Sequence, residues 1–334
     1  FVTPHVGWVV GEKNAEPDKY KGVVYKTTDG GTTWVDQTGN VPYLPLPTPF
    51  LKVKMANVYR GYISCGNGVI LGTLNGGDNW FRCKSPWDNP LHPGDSTSIW
   101  YNGLWVDPNN PQNLWVSGDA FGVVSKSTNG GQTWTTYQPS AFDWPDYQFP
   151  PPTGTPFGTK LANFDVDFTD FNHGMIGLSF GRVGKTTNGG ATWTVTQYEP
   201  QATWFYDVAN VGSDNLTGGN WGVIHRFDGA DEQEHVNYRW LGDNYTTDFN
   251  SLDGQTSSNA YGAGRGASSV RQRYDPGDFS IDSVNIKSSI GCYKITIKWS
   301  STISDSFKFW RIDRHCNSYL LNIFTPYGSW DDYT

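Results

Sequence analysis

Much that would normally announce a function is missing from this sequence. No run of about 18 apolar residues occurs, so no membrane-spanning helix is expected. No long segment places apolar residues at helical spacing, which argues against a helical domain. Charged residues make up only 17% of the 334, and the formal net charge is −8. A nucleic-acid binder should carry a basic stripe, and this balance argues against one. The four cysteines, Cys65, Cys83, Cys292 and Cys316, form no Cys-x-x-Cys pair, so zinc and haem readings lack support. The six histidines are scattered without zinc spacing. No phosphate loop is present, and Gly262-Ala-Gly-Arg-Gly266 has no helix after it. No metal and no cofactor are expected. No signal peptide is visible and the chain starts at Phe1, so a processed or partial chain is expected.

What is present is repetition. The phrase Thr27-Thr-Asp-Gly-Gly-Thr-Thr-Trp34 returns as Thr73-Leu-Asn-Gly-Gly-Asp-Asn-Trp80, as Ser127-Thr-Asn-Gly-Gly-Gln-Thr-Trp134 and as Thr186-Thr-Asn-Gly-Gly-Ala-Thr-Trp193. A period of roughly 50 residues marks an array of small supersecondary units. The glycines (39), prolines (20) and aromatic residues (16%) fit short strands joined by tight turns. Within the phrase, paired glycines supply the positive φ that a hairpin turn needs. The Asp29, Asn75, Asn129 and Asn188 side chains can bond backbone N–H groups further along and fix the loop. Trp34, Trp80, Trp134 and Trp193 are plates that can pack between neighbouring units.

Each unit reads as four short strands, one propeller blade. The first runs from Phe1-Val through Val6–Gly11 and Gly22–Lys26 to Trp34–Thr38. Units two to four follow the same order, and a long insertion, Gln138 to about Gly158, interrupts the third. Two further units lose the phrase but keep the strand rhythm, the fifth ending on an expected outer strand at Val236–Trp240. After residue 275 glycine thins out and longer alternating strands begin: Phe279–Ile286, Cys292–Trp299, Phe307–Arg314 and Tyr319–Phe324. The expected fold is therefore all-β. A β-propeller of six visible four-stranded blades, with seven as the alternative, is expected over residues 1–275, and a separate partial β-sandwich module over 276–334.

The phrase resembles the Asp-box, or BNR repeat, of sialidases, xyloglucan hydrolases, sortilin-type receptors and photosystem II assembly-factor-like propellers. Val6-Gly-Trp-Val-Val-Gly11 and Phe168-Thr-Asp-Phe-Asn-His-Gly174 are similar to the last group. Val106-Asp-Pro-Asn-Asn-Pro111 with Leu114-Trp-Val-Ser-Gly118 looks like the xyloglucan-hydrolase and sortilin style. The resemblance covers residues 1 to about 275. It implies that the phrase lies on the outer hairpin of each blade, with a structural role for its residues. Shared repeats of this kind carry no single activity. The sialidase signature Arg-Ile-Pro before the first box is absent, because the first arginine is Arg60. The strand ending at Trp299 with Phe309-Trp-Arg-Ile-Asp-Arg314 resembles part of a fibronectin type III module. Such a sandwich takes ~100 residues, so a truncated module and a chain continuing past Thr334 are expected.

Candidate chemistry is sparse. Asp107, Asp165, Asp167 and Asp207 fall near expected inner strands, where a glycosidase of the xyloglucan type would place two carboxylates. The alternative is that they cap turns and strand ends. Trp100, Tyr101, Trp105, Trp204 and Tyr206 cluster at starts of inner strands, where flat rings suit a sugar or a peptide at the mouth of the axis. Packing between blades is the competing role. Arg226, with Arg265 and Arg271, is a candidate polar patch. The bridges Cys65–Cys83 and Cys292–Cys316 are conceivable, as are four buried thiols. These features lead to an extracellular, secreted or cell-surface recognition, adhesion or scaffold protein without catalysis. Its partners would be a glycan or protein ligand at the axial mouth and further domains of its own chain. A glycoside hydrolase or degenerate relative is the first alternative, and an assembly factor for a membrane complex the second.

Overall fold

The computed structural model describes residues 1–13, 21–44, 46–86, 99–118, 122–143, 161–198, 204–211, 214–219, 224–227, 249–256, 259–264, 269–273, 279–289 and 292–301. It also describes the short strands 311–312, 315–316, 319–320 and 329–331, with side chains given to residue 210 and from 215 to 219. The expected strand at Val236–Trp240 and most of the long insertion lie outside these residues. The chain divides into two compact units, Phe1–Val208 and Ala209–Thr334.

In the first unit every sheet is an antiparallel meander. Sheet I has β1 (Gly7–Glu12), β2 (Gly22–Thr27) and β3 (Val35–Asp36). Sheet II has β4 (Phe50–Met55), β5 (Gly61–Cys65), β6 (Ile70–Thr73) and β7 (Trp80–Arg82). Sheet III has β8 (Gly103–Val106), β9 (Leu114–Ser117), β10 (Val124–Ser127) and β11 (Thr135–Tyr137). Sheet IV has β12 (Asn163–Phe168), β13 (Gly174–Leu178), β14 (Arg182–Thr186) and β15 (Thr194–Gln197). The first unit of the sequence therefore departs from expectation. Phe1-Val2 forms no strand, and sheet I has three strands among the described residues. Val2 N–H instead turns back onto Val6 O (3.0 Å).

The repeated phrase joins the last two strands of each sheet, with the same hydrogen bonds every time. The Thr/Ser hydroxyl at its start accepts the second glycine's N–H, as in Gly31 to Thr27 (2.8 Å) and Gly131 to Ser127 (2.9 Å). The Asp or Asn Oδ1 accepts the N–H four residues on, at 2.9 Å in all four copies. All eight glycines hold positive φ, as the turn requires. Asp and Asn serve equally because the partner hydroxyl can reverse its role. Thr33 Oγ1 donates to Asp29 Oδ2 (2.6 Å), whereas Asn129 Nδ2 donates to Thr133 Oγ1 (2.7 Å).

Strand alternation sends successive side chains to opposite faces, so sheets II and III each feed two cores. Ile63 and Leu71 join Trp8, Val24 and Trp80 between sheets I and II. Tyr62 and Ile70 join Leu104, Leu114 and Val116 between II and III. Trp105 and Trp115 join Val166, Phe168, Ile176 and Trp193 between III and IV. Burying each such side chain contributes about 1.5–3 kcal/mol. Trp80 and Trp193 pack on the preceding sheet, and Trp134 Nε1 donates to Lys84 O (2.8 Å). Trp34 has no preceding sheet within this unit, stays 37% exposed and meets Phe1 edge-on.

The same alternation rules out one expected bridge. Cys65 belongs to the core between sheets I and II and Cys83 to the core between II and III, and both are free thiols. Burial pushes both upward, Cys83 to about 12, so neither is a reactive thiolate. The side chains of Cys292 and Cys316 lie outside the described residues.

Strand β16 (Phe205–Val211) begins in the first unit. In the second, β17 (Asp214–Gly219) pairs with β18 (Ile224–Phe227). A four-stranded sheet runs β19 (Phe249–Thr256), β20 (Asn259–Gly264), β21 (Ser269–Arg273), then β24 (Arg311–Ile312). The long hairpin of β22 (Phe279–Ser289) and β23 (Cys292–Ser301) adds β27 (Ser329–Asp331), and β25 (His315–Cys316) pairs with β26 (Tyr319–Leu320). In place of the long strand expected over Phe307–Arg314, the described part is β24. It joins β21, with β-branched Val270 and Ile312 directly opposite.

Candidate functional site

The first strands of sheets II, III and IV lie side by side, and β8 comes so close to β12 that only glycine fits at position 103. A Cβ there would run into Ser117 Oγ and the Asp165–Val166 backbone. On β4 and β12 the pairing slips by one residue at the same place, between Phe50 and Lys52 and between Asn163 and Asp165. A bulge of this kind re-aims the side chain that follows it. On β8 the register is unbroken, and apolar Leu104 and Trp105 follow.

The two bulges and β16 bring three charged groups together. Lys52 Nζ lies 2.5 Å from Asp165 Oδ2 and 2.8 Å from Asp207 Oδ1. Val208 N–H also donates to Asp165 Oδ2 (3.2 Å), while Asp165 Oδ1 has no hydrogen-bond partner among the described residues. Both aspartates are almost completely buried, and the Lys52 side chain is 18% exposed. Burial pushes the Asp165 carboxyl well above the usual range. Lys52 works against that rise, and the negative charge of Asp207 adds to it. Burial opposes the Lys52 ammonium, but the two acidic groups outweigh it and hold its pKa above the ordinary lysine value. One ammonium thus serves two buried carboxyl groups.

Around the same strand starts is an aromatic cluster. Trp204 stacks on Phe164, the bulge residue of β12 (5.6 Å between centroids), and meets Tyr206 and Phe180 edge-on at 6.5 and 6.4 Å. Phe180 sits in the turn between β13 and β14 at φ 61°, an uncommon conformation for a bulky residue. Trp204 and Trp100 each remain 40% exposed.

The other singled-out residues have different surroundings. Tyr101 is in the core between sheets II and III, its hydroxyl 3.1 Å from Ser85 Oγ, and Trp105 is in the core between III and IV. Neither offers a ring to solvent. Asp107 caps a turn, accepting Asn109 N–H (2.9 Å) and the Asn113 side chain (3.0 Å), so it is remote in role from the charged cluster. Asp167 lies half-buried one step along β12. The Arg226 side chain is outside the described residues.

Lys52 carries no signal in the sequence alone, and a Gly-x-Ser-x-Gly spacing is present against expectation. Once the bulges are seen, Phe50-Leu-Lys52, Asn163-Phe-Asp165 and Phe205-Tyr-Asp207 share a polar third residue. Gly177-Leu-Ser-Phe-Gly181 has the spacing of a hydrolase nucleophile elbow. It forms a hairpin turn between two strands rather than a strand-to-helix turn. Ser179 is buried, its hydroxyl accepting Ala162 N–H (3.1 Å), which leaves it no nucleophilic role. Among the described residues no group of three His, Cys, Asp or Glu side chains could hold a metal ion.

No protein-family model and no curated protein matches the chain. Solved structures do. YCF48 from Cyanidioschyzon merolae is similar at 15% identity over 76% of this chain and 78% of its own, with a TM-score of 0.50. YCF48 bound to D1 peptide is 17% identical over 82% and 90%, with a TM-score of 0.47. A GH74 enzyme from Niastella koreensis is 13% identical over 92% of this chain and 50% of its own, with a TM-score of 0.47. The fold is thus that of the all-β propellers.

Proposed function

We propose that this chain is a non-catalytic recognition or scaffold protein of the extracellular space or cell surface. It would be built on an Asp-box propeller of six or seven blades followed by a fibronectin III-like module. The observation that carries the reading is the state of its converging carboxylates. Glycoside hydrolysis needs the two groups roughly 5–9.5 Å apart with substrate between them. Asp165 and Asp207 are instead both buried, with one Lys52 ammonium within ion-pair reach of each. The Lys52 ammonium, not a substrate, contacts both. The Trp204 cluster supplies a flat apolar surface for a glycan or peptide.

The test is a glycan and peptide array with the full chain, followed by assay of each hit for turnover. Binding without turnover, weakened about tenfold or more in Trp204→Ala, is the expected result. Hydrolysis of a bound glycan, abolished in Asp207→Asn, would establish the hydrolase instead. A second reading, an assembly factor for a membrane complex, is favoured by the wording around the first and fourth phrases. It calls for a membrane-protein peptide among the array hits.

A further inference from the structure

The charged cluster has a consequence beyond ligand recognition. Lys52 is on sheet II, Asp165 on sheet IV and Asp207 on the strand after sheet IV, so the ammonium bypasses sheet III to join non-neighbouring elements. The two carboxyls and one ammonium balance in charge only while one carboxyl keeps its proton. Loss of that proton adds a negative charge to a nearly dry site, where it is costly.

We propose that Lys52, Asp165 and Asp207 form a proton-operated latch that fastens β4 to β12 and β16 while one carboxyl keeps its proton and loosens when it is lost. The bulges on β4 and β12 support a built device, since the same one-residue slip aims both partners inward. The unpartnered Asp165 Oδ1 identifies where the proton can reside without breaking the contacts of Oδ2 to Lys52 and Val208. Burial, the largest influence on Asp165, raises the pH at which the proton leaves.

Other titratable groups on the strands that meet here include Tyr206 beside Asp207 on β16 and Glu12 at the end of β1, which packs against β4. Lys54 on β4 and Asp167 on β12 come two residues further along the same strand faces. Residues Gly103–Val106 of β8 and Gly174–Leu178 of β13 contain no titratable side chain, with Asp107 just past β8 in its turn. On β5, Tyr62 is turned to the sheet III side, its hydroxyl donating to Pro111 O (3.0 Å), and Cys65 is in the core with sheet I.

The Val208 amide is a direct reporter, because its N–H ends on Asp165. Hydrogen exchange of the full chain, corrected for intrinsic rates, should show Val208 protection falling about tenfold or more from about pH 5 to about pH 9. In Asp165→Asn, which keeps an acceptor and cannot lose the proton, protection should stay flat. A flat profile in the unaltered protein would overturn the latch, as would the same fall in Asp165→Asn. If that variant does not fold, carboxyl-carbon NMR of the unaltered protein decides alone. An Asp165 titration midpoint that coincides with the Val208 change supports the latch, and one at an ordinary aspartate pKa overturns it.

Discussion

Lys52 is the residue on which most depends in the first unit. It is a long, flexible cation whose ammonium offsets two buried acids. Replacing it with methionine fills similar volume but leaves the carboxyls without a counter-charge. Breaking one side of a buried ion cluster costs about 3–5 kcal/mol. Lys52→Met should therefore be strongly destabilised in urea at neutral pH, and Asp165→Asn in the same background should recover part of the loss. A Lys52→Met protein as stable as the parent would show the cluster to be more solvated than its burial indicates. Trp204 is the opposite kind of residue: its exposed face adds little to the fold, so its replacement should register in binding before it registers in stability.

At the scale of the element, the repeated turn works through backbone conformation and one acceptor oxygen. Three of its four copies use Asn where the first uses Asp. The Asp29 carboxyl is held down to about 2, chiefly by the Thr33 hydroxyl and amide and then by Thr27. Asp29→Asn should still fold with little loss near neutral pH, because the amide repeats the geometry seen at Asn129 and Asn188. Gly131→Ala should be much worse. Its φ is 80°, and a Cβ would meet Cys83 Sγ at 2.8 Å. Strain and overpacking together should cost about 1–3 kcal/mol, read as a lowered denaturation midpoint. Equal stability losses in the two variants would mean that the turn is held by charge rather than by its backbone.

For the whole molecule, the shifts give stability a direction with pH. The folded state lowers the pKa of Asp29, Asp36 and Asp170, so their contributions are present above the unfolded value near 3.8 and fade as acid is added. Asp165 is raised, so the folded state holds a proton the unfolded chain releases, and its effect erodes as pH climbs from about 4 toward its folded pKa. Lys52 is raised as well, so its stabilisation is complete below 10.5 and is lost above it. Thermal unfolding should therefore show its highest Tm in mild acid, falling toward about pH 9 and falling again in strong alkali. A Tm that rises steadily from about pH 5 to about pH 9 would contradict the burial of Asp165.

The sequence by itself determined the short antiparallel strands, the turn chemistry of the four phrases and the division of apolar residues between two faces. Those features are local: positive φ at paired glycines, an Asx side chain reaching four residues on, and a two-residue side-chain period. Trp100 and Trp204 could be named from the sequence, but not separated there from Tyr101 and Trp105, because exposure depends on which sheet lies opposite. Asp165 and Asp207 could be named, but not their convergence or Lys52 between them. The three charges are far apart in the chain and meet only because two one-residue bulges and a glycine-thin β8 bring four strands together. The fates of Cys65 and Cys83 were also tertiary, since alternation placed them in cores on opposite faces of one sheet. Local conformation is encoded residue by residue, whereas convergence of charge belongs to the packed strands.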